Sequence, residues 1–146
     1  MSDEGFLKVG QWLRFKAGTC FGEEKDHWGI FIATSDDAGV FVALSATSNV
    51  SGVLNFAKSR NINPESTIVV IEPNMPEASF HLSKQTAFDC NRPSIVYRND
   101  LNKWISNNLV ELADFNIEVN EELLSRLKDG VSRSPLVPKK YKRLIK

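Results

Sequence analysis

The sequence predicts a mainly β, α+β fold: a small, curled antiparallel barrel with helices packed at its end. Three observations predict it. Short β-branched and aromatic runs recur at close spacing up to residue 98, polar or proline-bearing turns separate them, and helical periodicity takes over from residue 99. The 146 residues suit one domain with a single sizeable core. Its expected parts are a strand-rich region over 5–98, a helical region over 99–132 and a basic tail over 133–146.

The first strand is expected over 9–15 (VGQWLRF), where Val9, Trp12 and Phe15 stand among polar residues. Trp28 to Thr34 (WGIFIAT) and Val40 to Ser45 (VFVALS) follow. The connection SDDAG offers Gly39 for a positive φ, so the pair predicts a hairpin. Residues 49–66 are mixed: Val53 to Lys58 is readable as one helical turn, or the whole segment as a long loop. Thr67 to Glu72 (TIVVIE) is a strand ended by the prolines of PNMP. SFHL (79–82), TAFDC (86–90) and SIVYR (94–98) are further short strands. Asn99 or Asp100 is the expected cap of a helix whose face carries Leu101, Trp104, Ile105 and Leu109. Asn120 caps the next, with Glu121 and Glu122 in its first turn and a stripe of Leu123, Leu124, Leu127 and Val131.

Apolar residues at 42%, charged residues at 25% and a formal net charge of zero describe an ordinary globular chain with no global field toward nucleic acid or membrane. No apolar run approaches the roughly 18 residues that span a bilayer, and MSDEGFLKVG has no signal-peptide core. A soluble, cytoplasmic protein is expected. Cys20 and Cys90 are expected as free thiols in a reducing compartment. His27 and His81 lack metal-ligand spacing, and no phosphate-binding glycine loop occurs, so no metal and no cofactor is expected.

The chemistry-bearing residues stand at strand ends. His27 and Trp28 open one strand, and Ser45 to Ser48 (SATS) close its hairpin partner. Antiparallel pairing brings the start of one strand to the end of the next, so His27 should meet Thr47 and Ser48. An imidazole beside hydroxyls, with Arg14 and Lys25 in reach, suits gripping a phosphodiester and moving protons around it. The plainer alternative is that the hydroxyls serve turns and that His27 and Trp28 pack together at a rim. Within DCNRPS, Asp89 or Asn91 initiates a turn, from which Arg92 is placed to contact phosphate. From Arg126 to Lys146 eight cations face Asp129 alone, as a solvated tail or an RNA contact. A thiol nucleophile at Cys20 or Cys90 is a third, weaker chemistry.

In this order the elements resemble the PemK/MazF-type toxin ribonucleases of bacterial toxin–antitoxin pairs. Gly10-Gln11 opens the first strand, GEEKDHW (22–28) is similar to the family's "G-x-E-q…R-P" loop, and FVALSATS (41–48) is similar to the strand ending in "T-S". TAFDCNRPSIVYRNDLNKW and NEELLSRLKDGVSRSPL resemble the late strands and closing helix. The resemblance implies an SH3-like barrel, metal-independent cleavage of single-stranded RNA, a homodimer, and a cognate antitoxin that competes with RNA. It puts Thr47, with Ser48 beside it, at the catalytic threonine, and His27 at the catalytic arginine with Trp28 at the following proline. Expected catalytic residues are therefore His27, Thr47 and Ser48, with Arg14, Lys25, Trp28, Ser45 and Arg92 binding substrate. Because the family arginine is replaced, a non-catalytic SH3-like barrel that binds RNA or a protein partner, in a regulatory or defence operon, is the competing expectation. The segment over 49–66 and the basic tail exceed the compact barrel of the family.

Overall fold

The computed structural model describes residues 8–22, 25–73, 84–112, 119 and 121–145. The expected SFHL strand with His81, and the Asn120 cap, lie outside them. The antiparallel α+β class holds. Seven strands, β1 (Trp12–Phe15), β2 (His27–Ser35), β3 (Val40–Thr47), β4 (Ile68–Ile71), β5 (Thr86–Asp89), β6 (Ser94–Tyr97) and β7 (Val110–Leu112), form one sheet among these residues. Its order is β4-β5-β3-β2-β1-β7, and every pairing is antiparallel. No pairing joins β4 to β7 among the described residues.

The β2–β3 hairpin turns at Gly39, whose φ of 64° is the left-handed conformation its position predicts. The other edge of β3 is shared. Residues 46–47 pair with β5 and residues 40–43 pair with β6, so the turn Cys90–Pro93 interrupts what is otherwise one run along β3. That turn carries Arg92.

Alternation sends strand side chains to two cores. One face contributes Trp12, Ile30, Leu44 and Phe88, covered by Leu123, Leu127 and Val131 of α4 (Glu121–Arg133). The other contributes Leu13, Phe15, Phe31 and Phe41, covered by Leu101 of α3 (Arg98–Ser106) with Trp104 and Ile105 against it. Burying each such side chain contributes about 1.5–3 kcal/mol, whereas the first-turn Glu121 and Glu122 add about 0.3–1 kcal/mol apiece. Packing therefore decides where α4 lies.

Four expectations change. Residues 49–66 are neither a single turn nor a loop: α1 (Val50–Ser59) and α2 (Pro64–Thr67) bury Val53, Ala57 and Thr67. The helix over 98–106 starts one residue before its expected caps, and Tyr97 makes no side-chain cap bond. Leu109 lies beyond its end, because Asn108 adopts a φ of 60°. The basic tail is not a solvated strand of chain. Arg133 belongs to α4, α5 (Lys139–Lys142) and a 3-10 turn (Arg143–Ile145) follow, and Val137 and Ile145 are buried in the first core. Its apolar residues at 137, 141, 144 and 145 dock it, while most of its cations stay in water.

Candidate functional site

At the end of the sheet where β2 begins and β3 ends, the structure opens a cleft of about 580 Å³. His27, Ser45, Thr47 and Arg92 line it, together with Phe56, Asp89 and others. The register explains the first three. Gly29 pairs with Ser45 and Trp28 with Ala46, so His27 falls beside Thr47, and His27, Gly29, Ser45 and Thr47 project to one face. Hairpin register alone thus puts the imidazole and the Thr47 hydroxyl on the wall of one cleft, without Ser48.

The same alternation separates His27 from Trp28. His27 packs edge-on against Phe21, ring centroids 6.0 Å apart, on the face of the second core. Trp28 packs against the first core on the opposite face and does not line the cleft. With Arg14, Asp26 and His27 it bounds a separate notch of about 220 Å³. There Arg14 donates to Asp26 at 2.8 Å and lies 6.0 Å from the Trp28 ring centroid. The backbone N–H of Ala17 and then Arg14 hold the Asp26 carboxyl below its ordinary range.

Ser48 and Lys25 line neither hollow. Ser48 is exposed and stands one residue beyond the end of β3, where the chain bends toward α1. Lys25 is exposed, and its charge is felt at His27. Burial first, and the Lys25 charge second, lower the His27 pKa below the ordinary 6.5, against a weaker opposing pull from Asp26. His27 is consequently neutral near pH 7, the form that accepts a proton.

The Thr47 oxygen accepts the Asn49 N–H at 3.1 Å, and the Asn49 side chain accepts the Gly52 N–H at 3.2 Å. Thr47 therefore helps to start α1, as a turn hydroxyl does, and a hydroxyl that accepts this bond keeps a proton to donate. Arg92 is more firmly held. Its guanidinium donates to Asp89 at 2.6 Å and lies 3.9 Å from the Phe56 ring centroid. The Arg92 side chain is 52% exposed, against 10% for Asp89, so the cation reaches solvent while its counter-ion is enclosed.

Sequence reasoning missed Phe56, because it took residues 53–58 as one helical turn at most and not as part of a ten-residue helix. It took Asp89 as a turn former, which it is, accepting the Asn91 N–H at 3.0 Å, without its second role as the carboxylate that holds Arg92. With α1 assigned, Asn49 as cap and Val53 and Phe56 three residues apart would have pointed to the cleft wall. Cys20 lines the cleft, but burial pushes its thiol up to about 12. Cys90 is pushed to about 12 for the same main reason, with Asp89 and Asp129 adding to it. Both thiols are therefore protonated and poor nucleophiles at neutral pH. Among the described residues no three His, Cys, Asp or Glu side chains converge to hold a metal ion, and no helix is long and apolar enough to cross a membrane. Compared with known proteins, the chain matches no family model and no curated protein.

Proposed function

We propose that the cleft binds the backbone of single-stranded RNA and cleaves its phosphodiester bond without a metal ion. One observation carries this: an imidazole, the hydroxyls of Ser45, Thr47 and Ser94, and a guanidinium from three separated segments line the same hollow. Neutral His27 accepts the proton of the 2′-hydroxyl, the 2′-oxygen bonds to phosphorus, and the bond to the 5′-oxygen breaks. The imidazolium returns the proton to the departing oxygen. The products are a 2′,3′-cyclic phosphate and a 5′-hydroxyl end. Arg92 offers its N–H groups to the charge that builds on the phosphoryl oxygens, and Thr47 donates its free proton to one of them. The resemblance to PemK/MazF-type toxins supports the same substrate class, and with it a cytoplasmic homodimer restrained by an antitoxin.

A second proposal has one observation in its favour. Arg92 is already engaged by Asp89 and Phe56, which suits holding a phosphate more than following the charge of a transition state. Binding of RNA without cleavage is that alternative. Incubation of a mixed-sequence ribo-oligonucleotide with the wild type, His27→Ala and Thr47→Ala, with end-group analysis, separates the two. Cyclic-phosphate ends that disappear in His27→Ala support cleavage. Salt-sensitive binding with no product supports the alternative, and unchanged cleavage in both variants removes the assignment of these residues.

A further inference from the structure

His27 borders both hollows: the cleft on one face of the sheet and the Arg14–Asp26–Trp28 notch at the same sheet end. Register produces this arrangement. Phe15 pairs with His27 and Arg14 with Trp28, so the notch is walled by β1 and β2, while β3, β5 and α1 wall the cleft. A chain passing over the imidazole around the end of the sheet would enter the cleft on one face and the notch on the other. The notch has the two surfaces that a nucleotide uses, an indole face and a guanidinium. It also has a brake, since Asp26 neutralises Arg14 at 2.8 Å.

We propose that the notch is a second nucleotide subsite, so that the bond over His27 is flanked by one nucleoside in the cleft and another against Trp28. This deepens the assignment of the cleft to RNA and rests on it. A ligand occupying both hollows must extend on both sides of the bond above His27. An internal segment of a strand meets that condition, and a mononucleotide does not. Asp26 limits the attraction of the notch for phosphate, leaving stacking on Trp28 as its main grip.

The test uses a 2′-O-methyl RNA hexamer, which lacks the attacking hydroxyl and reports binding apart from cleavage. Its titration against the full chain is followed by tryptophan fluorescence and by anisotropy of a labelled hexamer. Trp28→Phe is expected to abolish most of the quenching and to weaken binding by a few-fold, less than the roughly tenfold scale of a whole base stack, because a phenyl ring still stacks. Arg14→Gln should weaken binding, and Asp26→Asn should tighten it several-fold. Arg92→Gln should weaken binding while leaving the Trp28 quenching in place. Quenching and affinity unchanged in Trp28→Phe would overturn the subsite, even if the ribo-hexamer is cleaved. Loss of quenching in Trp28→Phe without any ribo-hexamer cleavage would retain the subsite and remove only the catalytic assignment. No binding of the hexamer by the wild type would overturn both.

Discussion

The guanidinium carbon of Arg92 lies 3.9 Å from the Phe56 ring centroid, while Asp89 accepts the Arg92 Nε–H at 2.6 Å. Two segments that are far apart in sequence, α1 and the turn after β5, thereby fix one cation at the mouth of the cleft. The aromatic face removes one side of the guanidinium from water, and the enclosed carboxylate sets its azimuth.

Asp89→Asn preserves an oxygen for the Asn91 N–H but removes the counter-charge. Binding of a 2′-O-methyl oligonucleotide should tighten several-fold at low salt and depend more steeply on salt, because one more cation is free for phosphate. Phe56→Ala should act in the opposite direction by loosening Arg92. Equal affinity and an equal salt slope in all three proteins would show that Arg92 does not meet the ligand.

Cleavage should need neutral His27, so the rate should rise with pH through the His27 titration and then level off. Because its pKa is lowered, that acid limb falls below the ordinary 6.5. Lys25 contributes to the lowering and Asp26 opposes it. Lys25→Gln should therefore move the limb to higher pH and Asp26→Asn to lower pH. Imidazole proton shifts followed by NMR read the same midpoints without reference to activity, and a wild-type midpoint above 6.5 would contradict the burial of the ring.

Asn91 joins three parts of the fold. Its Nδ2 donates to Thr67 Oγ1 at 3.0 Å, and its Oδ1 accepts from Ser134 Oγ at 2.6 Å, with all three residues buried. Asn91→Ala removes two buried hydrogen bonds, at about 0.5–1.5 kcal/mol each, while Thr67 still donates to the Asn63 carbonyl and Ser134 still accepts the Leu136 N–H. Urea unfolding should show a loss of about 1–3 kcal/mol, on the same principle. A loss under about 0.5 kcal/mol, the range of ordinary surface changes, would mean that the network adds little.

Gly130 sits inside α4, where alanine would ordinarily stabilise a helix by about 1 kcal/mol. A Cβ there would lie 2.7 Å from Cys90 Sγ and 2.9 Å from Cys90 Cβ. Overpacking of this kind costs about 1–3 kcal/mol, so Gly130→Ala should destabilise on balance. Combining it with Cys90→Ala trades the clash for space and should recover part of the loss. A Gly130→Ala protein more stable than the wild type would show that α4 can move away from β5.

Where local pattern and tertiary packing agree, the sequence is sufficient. β2, β3 and their Gly39 turn follow from β-branched runs and a glycine that must turn, and α4 follows from its leucine stripe. Their register then determines that His27 and Thr47 share a sheet end. β7 was not legible, because three residues, VEL, are too few to show alternation. Nor was α1, whose buried contacts come mainly from Val53 and Ala57 and whose start depends on the Asn49 side chain.

By itself the sequence determined the antiparallel core, its closing helices and the neighbourhood of the imidazole and the threonine, because periodicity and pairing act over a few residues. Only the tertiary structure decided that Lys25 stands outside the cleft, that the basic segment docks, and that Phe56 meets the Asp89–Arg92 pair. Those outcomes depend on which segments pack against one another across the sheet, and contacts between remote segments leave no local pattern to read.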